Sequence, residues 1–322
     1  MNWVDSPGVL LRTIGCVACA LALVAAAPPD APRWVLPPTG DPHLTRWVIE
    51  SAAVGGPVSV DVALPDAAAT DPGRCFPLLV WLHGTGGGSS GASMVAAAVR
   101  RATAAGAIPP VVVAFPNGLT HHLWTDSADG RTPVERVLLD EVLPYVDAHA
   151  PTLPVRDARW LAGFSMGGYG TARLALRHPD RFGAALALAP GPLDEGFDGP
   201  RAQSSPALRA AILRDVHADD LAAFSAQSPL RLAREAAPGV VASLPWLVAT
   251  GDADPMAPGA RSLTAALQAG GGSVRHLEAA GVSHEPARLI AAIDEDLWAW
   301  VRDRAAAIPT NPEGQFAGCP QR

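Results

Sequence analysis

The sequence predicts an α/β fold in which a mostly parallel sheet is covered by helices on both faces. Three observations carry that expectation. Short continuous apolar runs, such as residues 76–82 (FPLLVWL) and 245–250 (PWLVAT), alternate with stretches of helical periodicity. Uninterrupted apolar strands are those buried on both faces, and their alternation with helices builds a parallel sheet. The run at 158–162 leads directly into Gly163-Phe164-Ser165-Met166-Gly167-Gly168 and then into a helix-forming stretch at 169–178. Finally, 322 residues, 49% hydrophobic and 17% charged, supply a large core for one domain of this class.

The elements follow in order. Residues 13–27 (TIGCVACALALVAAA) form an apolar run preceded by Arg12 and ending in Ala25-Ala26-Ala27, which reads as an export signal over residues 1–27. The run is shorter than the ~20 residues that span a bilayer. An uncleaved anchor, or a lipid anchor at Cys16 or Cys19, is the alternative. Residues 28–322 are then a single domain that opens with a Pro-rich irregular lead-in over 28–44. Strands are expected at 46–52, 57–64, 76–82, 110–115, 158–162, 182–188, 245–250 and 273–279. In the second of these Val58, Val60, Val62 and Leu64 alternate with smaller or polar residues, the pattern of a half-buried antiparallel strand. Residues 67–74 read as a turn-rich loop, and helices are expected at 92–105, 133–148, 169–178 and 285–305. Residues 191–240 form a polar, helix-prone insertion that caps the fold, with helices at 207–215 and 219–226.

Composition excludes several functions. A net charge of −7 leaves no basic footprint, so a nucleic-acid partner is not expected. His83-Gly84-Thr85-Gly86-Gly87-Gly88 lacks the Gly-Lys-Ser/Thr ending of a phosphate loop. No His, Cys or Asp cluster has metal-ligand spacing, and no cofactor is expected. With Cys16 and Cys19 inside the signal, Cys75 and Cys319 remain as an even pair suited to an oxidising compartment, and we expect a disulfide between them; two free thiols are the alternative.

The chemistry centres on Ser165. Its surroundings read G-x-S-x-G on a strand–turn–helix unit, a nucleophile elbow. Gly163 and Gly167 give room beside the serine, Gly168 lets the helix approach the sheet, and the helix start aims free N–H groups at the hydroxyl. A serine hydroxyl needs a base, and the base needs an orienting acid, in the order Ser, Asp, His along such chains. His178, His217, His276 and His284 follow the serine; His284 lies in the loop after the last strand and is the expected base. Asp254, just past the strand at 245–250, is the expected acid, with Asp252 as competitor and turn-former and Asp194 as a third option. The N–H of Met166 and that of Thr85, preferred over Gly86, are the expected oxyanion donors. Trp124 and the His121-His122 pair, His122 above all, are expected at the substrate pocket.

Five stretches carry a family resemblance: Leu78-Leu79-Val80-Trp81-Leu82-His83-Gly84, Phe115-Pro116-Asn117-Gly118, Trp124-Thr125-Asp126-Ser127, Gly163 to Gly170 (GFSMGGYG), and His178-Pro179-Asp180-Arg181-Phe182. Over about residues 45–305 the chain resembles the esterase family of α/β-hydrolases that includes esterase D-like, feruloyl and enterochelin esterases and the mycolyltransferases. That resemblance implies an α/β-hydrolase fold and a triad carried by Ser165, Asp254 and His284, with oxyanion donors at Met166 and Thr85. Pro286 and Ala287 stand where the family has a tryptophan after the histidine. The expected protein is a secreted serine carboxylesterase acting on a small-molecule or polysaccharide-linked ester. An acyltransferase of the mycolyltransferase type is the alternative, and a binding scaffold without catalysis the second. A membrane is met only through an uncleaved signal or a lipid anchor.

Overall fold

Eight strands form one sheet in the order β1-β2-β4-β3-β5-β6-β7-β8. The computed structural model describes residues 32–88, 91–193, 197, 205–310 and 316. The expected signal, Asp194 and Cys319 lie outside the described residues. β1 (Thr45–Ser51) and β2 (Gly56–Ala63) form a hairpin, and β2 pairs antiparallel with β4 (Val112–Pro116). From β4 onward every pairing is parallel, through β3 (Leu78–Leu82), β5 (Arg159–Phe164), β6 (Ala184–Leu188), β7 (Pro245–Gly251) and β8 (Ser273–Ala279). All residues of β3, β4, β5 and β6 are buried, as their unbroken apolar runs require.

The sheet separates two apolar layers. Leu78, Val80 and Leu82 point into one, with Tyr169, Leu174 and Val137; Leu79 and Trp81 point into the other, with Val95, Trp298 and Val301. This alternation is the period of two that a strand imposes on its side chains. Helix Met166–Arg177 is buried along almost its whole length between the sheet and the insertion. Among the described residues, no helix is long and apolar enough to cross a membrane.

Several local expectations change. β2 is buried on both faces rather than one, because the lead-in folds over it: Trp34 is buried, its carbonyl accepts the Ser59 N–H at 3.0 Å, and Arg46 pairs with the buried Asp61. The loop at 67–74 holds one helical turn, Ala67–Thr70. The predicted final helix is two, Pro286–Ala292 and Asp294–Ala306, parted at Ile293 (φ −107°, ψ 16°). The insertion carries a third helix, Pro229–Glu235, beside Pro206–His217 and Leu221–Ala226. Helix Ala257–Ala269, between β7 and β8, was not anticipated from pattern, although two parallel neighbours require a crossover.

The insertion is fastened to the core by a buried polar network. Arg173, on helix Met166–Arg177, is 1% exposed. It donates to Glu135 at 2.5 Å, to the Gln227 side chain at 2.6 Å and to the Trp124 carbonyl at 3.2 Å. Tyr169 Oη adds a bond to the Gln227 carbonyl at 3.0 Å. Burial raises the Glu135 pKa, but the bond from His178 and the charge of Arg173 outweigh it and bring the carboxyl from 4.5 down to about 2.

Removing one member of a buried pair strands the other charge. Arg173→Met is therefore expected to cost about 3–5 kcal/mol, read as a lowered urea midpoint. The protein also carries three buried histidines, His83, His122 and His217, whose pKa values are lowered from 6.5 to about 4, chiefly by burial. A depressed folded-state pKa means that the folded state favours the neutral ring. Stability from these rings is complete above pH 6.5 and is lost as the pH falls through about 4. Denaturant midpoints measured at pH 7, 5.5 and 4 should fall in that order; a flat series contradicts neutral burial.

Candidate active site

The residues that can react lie at the C-terminal ends of β3, β5, β7 and β8, the edge where parallel sheets gather their functional loops. Ser165 follows β5 directly and holds φ 59°, ψ −119°, a strained backbone for a side chain with a Cβ. Its N–H donates to the Leu188 carbonyl at 3.0 Å, and its carbonyl accepts from Tyr169 at 2.9 Å and Gly191 at 3.2 Å. These bonds hold the turn from both sides. A Cβ on Gly167 would overlap the Leu82 carbonyl, and one on Gly168 would meet the Leu188 carbonyl. The helix can press against the strand ends only because both residues lack one.

A chain of hydrogen bonds links three residues distant in sequence. His284 Nε2 lies 2.8 Å from Ser165 Oγ, and His284 Nδ1 lies 2.8 Å from Asp254 Oδ2. With Nδ1–H donating to the carboxylate, Nε2 is left to accept the serine hydroxyl. The Asp254 side chain is fully buried, and its other oxygen accepts the Met256 N–H at 2.8 Å. The imidazole is 21% exposed and lies against the Phe164 ring at 4.6 Å between centroids. Such an arrangement can take the proton from a hydroxyl while a fixed carboxylate orients the imidazole and stabilises its charged form.

The competing residues have other partners. Asp252 accepts the Gly281 N–H at 2.7 Å and so ties the acid-bearing turn to the loop that carries His284. The two segments touch closely, since a Cβ on Gly251 would overlap the Val282 carbonyl. His276 bonds Thr264 at 2.9 Å, His178 bonds Glu135 at 2.6 Å, and His217 is buried at the end of the insertion's first helix.

The loop after β3 faces the serine. A Cβ on Gly84 would come into contact with Ser165 Cβ and the Phe164 carbonyl. Gly86 N–H is engaged by the Thr120 carbonyl at 2.9 Å, whereas among the described residues the N–H groups of Thr85 and Met166 have no acceptor. His83 props this loop. It is 2% exposed, its Nδ1–H donates to the Gly84 carbonyl at 2.8 Å, and its Nε2 accepts the Gly118 N–H at 2.9 Å. Only the neutral ring can make both bonds. The sequence marks His83 merely as the start of a glycine run, and its role as a prop becomes visible only through Gly118, 35 residues away.

Beside Ser165 opens a cavity of about 370 Å³. Trp81 and Phe164 come from the sheet, Met94 from helix Ala92–Ala104, Leu208 and Ile212 from the insertion, and Pro286 from the start of helix Pro286–Ala292. Thr85 and Leu123 also line it. Trp124 and His122 do not, which corrects the sequence expectation. Trp124 is fully buried, donates to the His83 carbonyl at 3.2 Å and fills the space left by Gly118 and Gly170. His122 is 6% exposed and lies tilted against His121, whose Nε2 lies 2.9 Å from Asp215 on helix Pro206–His217. The pair braces the insertion instead of touching the cavity. Polarity at a loop tip drew attention to these residues, and it gave no means of telling brace from lining.

The Asp252 link yields a direct test. Asp252→Ala should speed exchange of the Gly281 amide by roughly tenfold, the effect of losing one hydrogen bond of about 1 kcal/mol or more. Asp252→Asn, which keeps an acceptor, should restore most of the protection.

Comparison with known proteins bears on the family and the fold. The profile of the Esterase family matches residues 51–248, more than half of the chain. Esterase Rv1288 of Mycobacterium tuberculosis is 31% identical over 149 residues, covering 45% of this chain and 32% of that protein, so the match spans about a third of the relative's length. A ferulic acid esterase of known structure superposes with a TM-score of 0.67 at 21% identity, covering 81% of this chain and 97% of that one. An S-formylglutathione hydrolase from Staphylococcus aureus gives 0.59 at 19% identity, covering 80% and 98%. At those identities the likeness is one of fold, and the fold is that of the α/β-hydrolases. By its profile match and its architecture, the chain belongs to the Esterase family.

Proposed function

We propose that this protein is a serine carboxylesterase that works through an acyl-enzyme. The observation that carries the reading is the continuous hydrogen-bond chain from Ser165 Oγ through His284 to Asp254, with both links at 2.8 Å. In the proposed reaction His284 takes the Ser165 proton as the oxygen attacks the ester carbonyl. The Met166 and Thr85 N–H groups receive the negative charge that develops on the carbonyl oxygen. His284 then returns the proton to the departing alcohol, and water, activated by the same imidazole, releases the acid. Asp254 holds the ring in the tautomer that this requires. The ester belongs to a small molecule or to a polysaccharide side group, a reading supported by the likeness to a ferulic acid esterase.

We further propose that the protein is exported by residues 1–27 and closed by a Cys75–Cys319 disulfide. Cys75 is buried, and Phe316, three residues before Cys319, lies against the apolar cluster that contains Cys75. The bridge would hold the C-terminal segment to the start of the central strand. Mass spectrometry of peptides from the unreduced protein checks the pairing.

Hydrolysis of nitrophenyl acetate tests the main reading. Ser165→Ala is expected to lower kcat by ~10⁶, and Asp254→Asn by roughly 10⁴. A fluorophosphonate should label Ser165 alone. Activity unchanged in the serine variant would overturn the assignment.

A further inference from the structure

The cavity beside Ser165 has a chemical character that narrows what it can hold, and this inference rests on the esterase reading. Among the described residues no Asp, Glu, Lys or Arg lines it, and the one ionisable side chain there is His284. A charged acyl group would lose its hydration there without gaining a counter-ion, which is prohibitive in an apolar cleft. At about 370 Å³ the cavity is near the small end of the roughly 300–1,000 Å³ of small-molecule sites, so it suits one acyl group and not a polymer.

Apart from Thr85, Ser165 and His284, one polar side chain among the described lining residues breaks the apolar wall. Trp81 is 5% exposed, and among the described residues its indole N–H has no acceptor. By contrast, the buried Trp124 donates to the His83 carbonyl. Trp81 Nε1 lies 4.0 Å from where a side chain on Gly91 would begin, and both residues line the cavity. The absence of a side chain at Gly91 leaves that N–H open to whatever enters. Met94, Leu208 and Ile212 complete the surrounding wall, and none of them offers an oxygen. A donor that faces the cavity can bond water while the site is empty, so a ligand without an acceptor there strands it and a ligand with one is selected.

We infer that the cavity takes a neutral, largely apolar acyl group carrying a hydrogen-bond acceptor oxygen, and that Trp81 Nε1–H binds this oxygen. Trp81 is thus a specificity-determining residue, and the preferred acid is an ether-, hydroxyl- or carbonyl-bearing one over the plain hydrocarbon of equal size.

The test compares nitrophenyl octanoate with isosteric oxa-octanoates whose ether oxygen occupies successive positions beyond the α carbon. In the natural protein one isomer should stand above the others in kcat/KM and equal or exceed octanoate. In Trp81→Phe the ratio of that isomer to octanoate should fall by roughly five- to tenfold, the effect of one neutral hydrogen bond. Equal ratios in the two proteins, or a series in which every oxa isomer falls uniformly below octanoate, would overturn the inference. Should the variant not fold, the positional series in the natural protein decides the matter alone. Binding of the same esters to Ser165→Ala, followed by tryptophan fluorescence, reads the preference without turnover. An absence of hydrolysis therefore counts against the esterase reading, and an absence of positional preference counts against this one.

Discussion

The backbone of Ser165 is the constraint on which the rest of the site depends. A side-chain-bearing residue at φ 59°, ψ −119° is held there only if its surroundings leave no easier course. Three features do so here. The Leu188 carbonyl takes the serine N–H, Tyr169 and Gly191 take its carbonyl, and the helix behind it is pressed onto the strand ends through Gly167 and Gly168. Any relaxation of the turn would have to break bonds to β6 and to the helix together. The hydroxyl is therefore presented clear of the sheet, with the helix's first N–H groups behind it.

The remaining parts converge on that point from separate strands. β7 delivers a buried carboxylate, the loop after β8 delivers the imidazole, and the loop after β3 delivers an N–H group that has no acceptor among the described residues. Each loop is held by polar contacts that do not themselves react. Asp252 joins the acid turn to the imidazole loop, and His83 joins the β3 loop to Gly118. The His83 ring is kept neutral by burial, so over the neutral range it acts as an uncharged strut with one donor and one acceptor.

The positions of the strands along the chain and the elbow were legible in the sequence because each depends on short-range pattern, whereas the order of the strands in the sheet was not read from it. A seven-residue apolar run such as FPLLVWL has few other readings, and Gly163 to Gly170 combines small residues with a serine at a strand–helix junction. His284 and Asp254 could be named because each follows a strand and in the required order. What could not be read was the far partner of a polar side chain. Trp124 looks like a pocket residue from its loop, yet it fills space made by Gly118 and Gly170, and Leu123 beside it is the one that lines the cavity. Helix Ala257–Ala269 begins with Pro258 and Gly259, which read locally as turn. The break at Ile293 has no proline or glycine to announce it, since it arises where two helices pack separately onto the sheet.

The fastening of the insertion has a consequence for how such proteins can diverge. Gln227 belongs to the insertion, but its side chain and carbonyl complete the bonding of Arg173 and Tyr169 on the elbow helix, and Asp215 completes that of His121. A chimera that exchanged this segment alone would leave a guanidinium inside the fold without its amide. Recombination at this place is tolerated only if the elbow helix travels with the segment, or if the incoming piece carries an oxygen to the same spot. Selectivity and the frame that supports the nucleophile are therefore inherited as one unit.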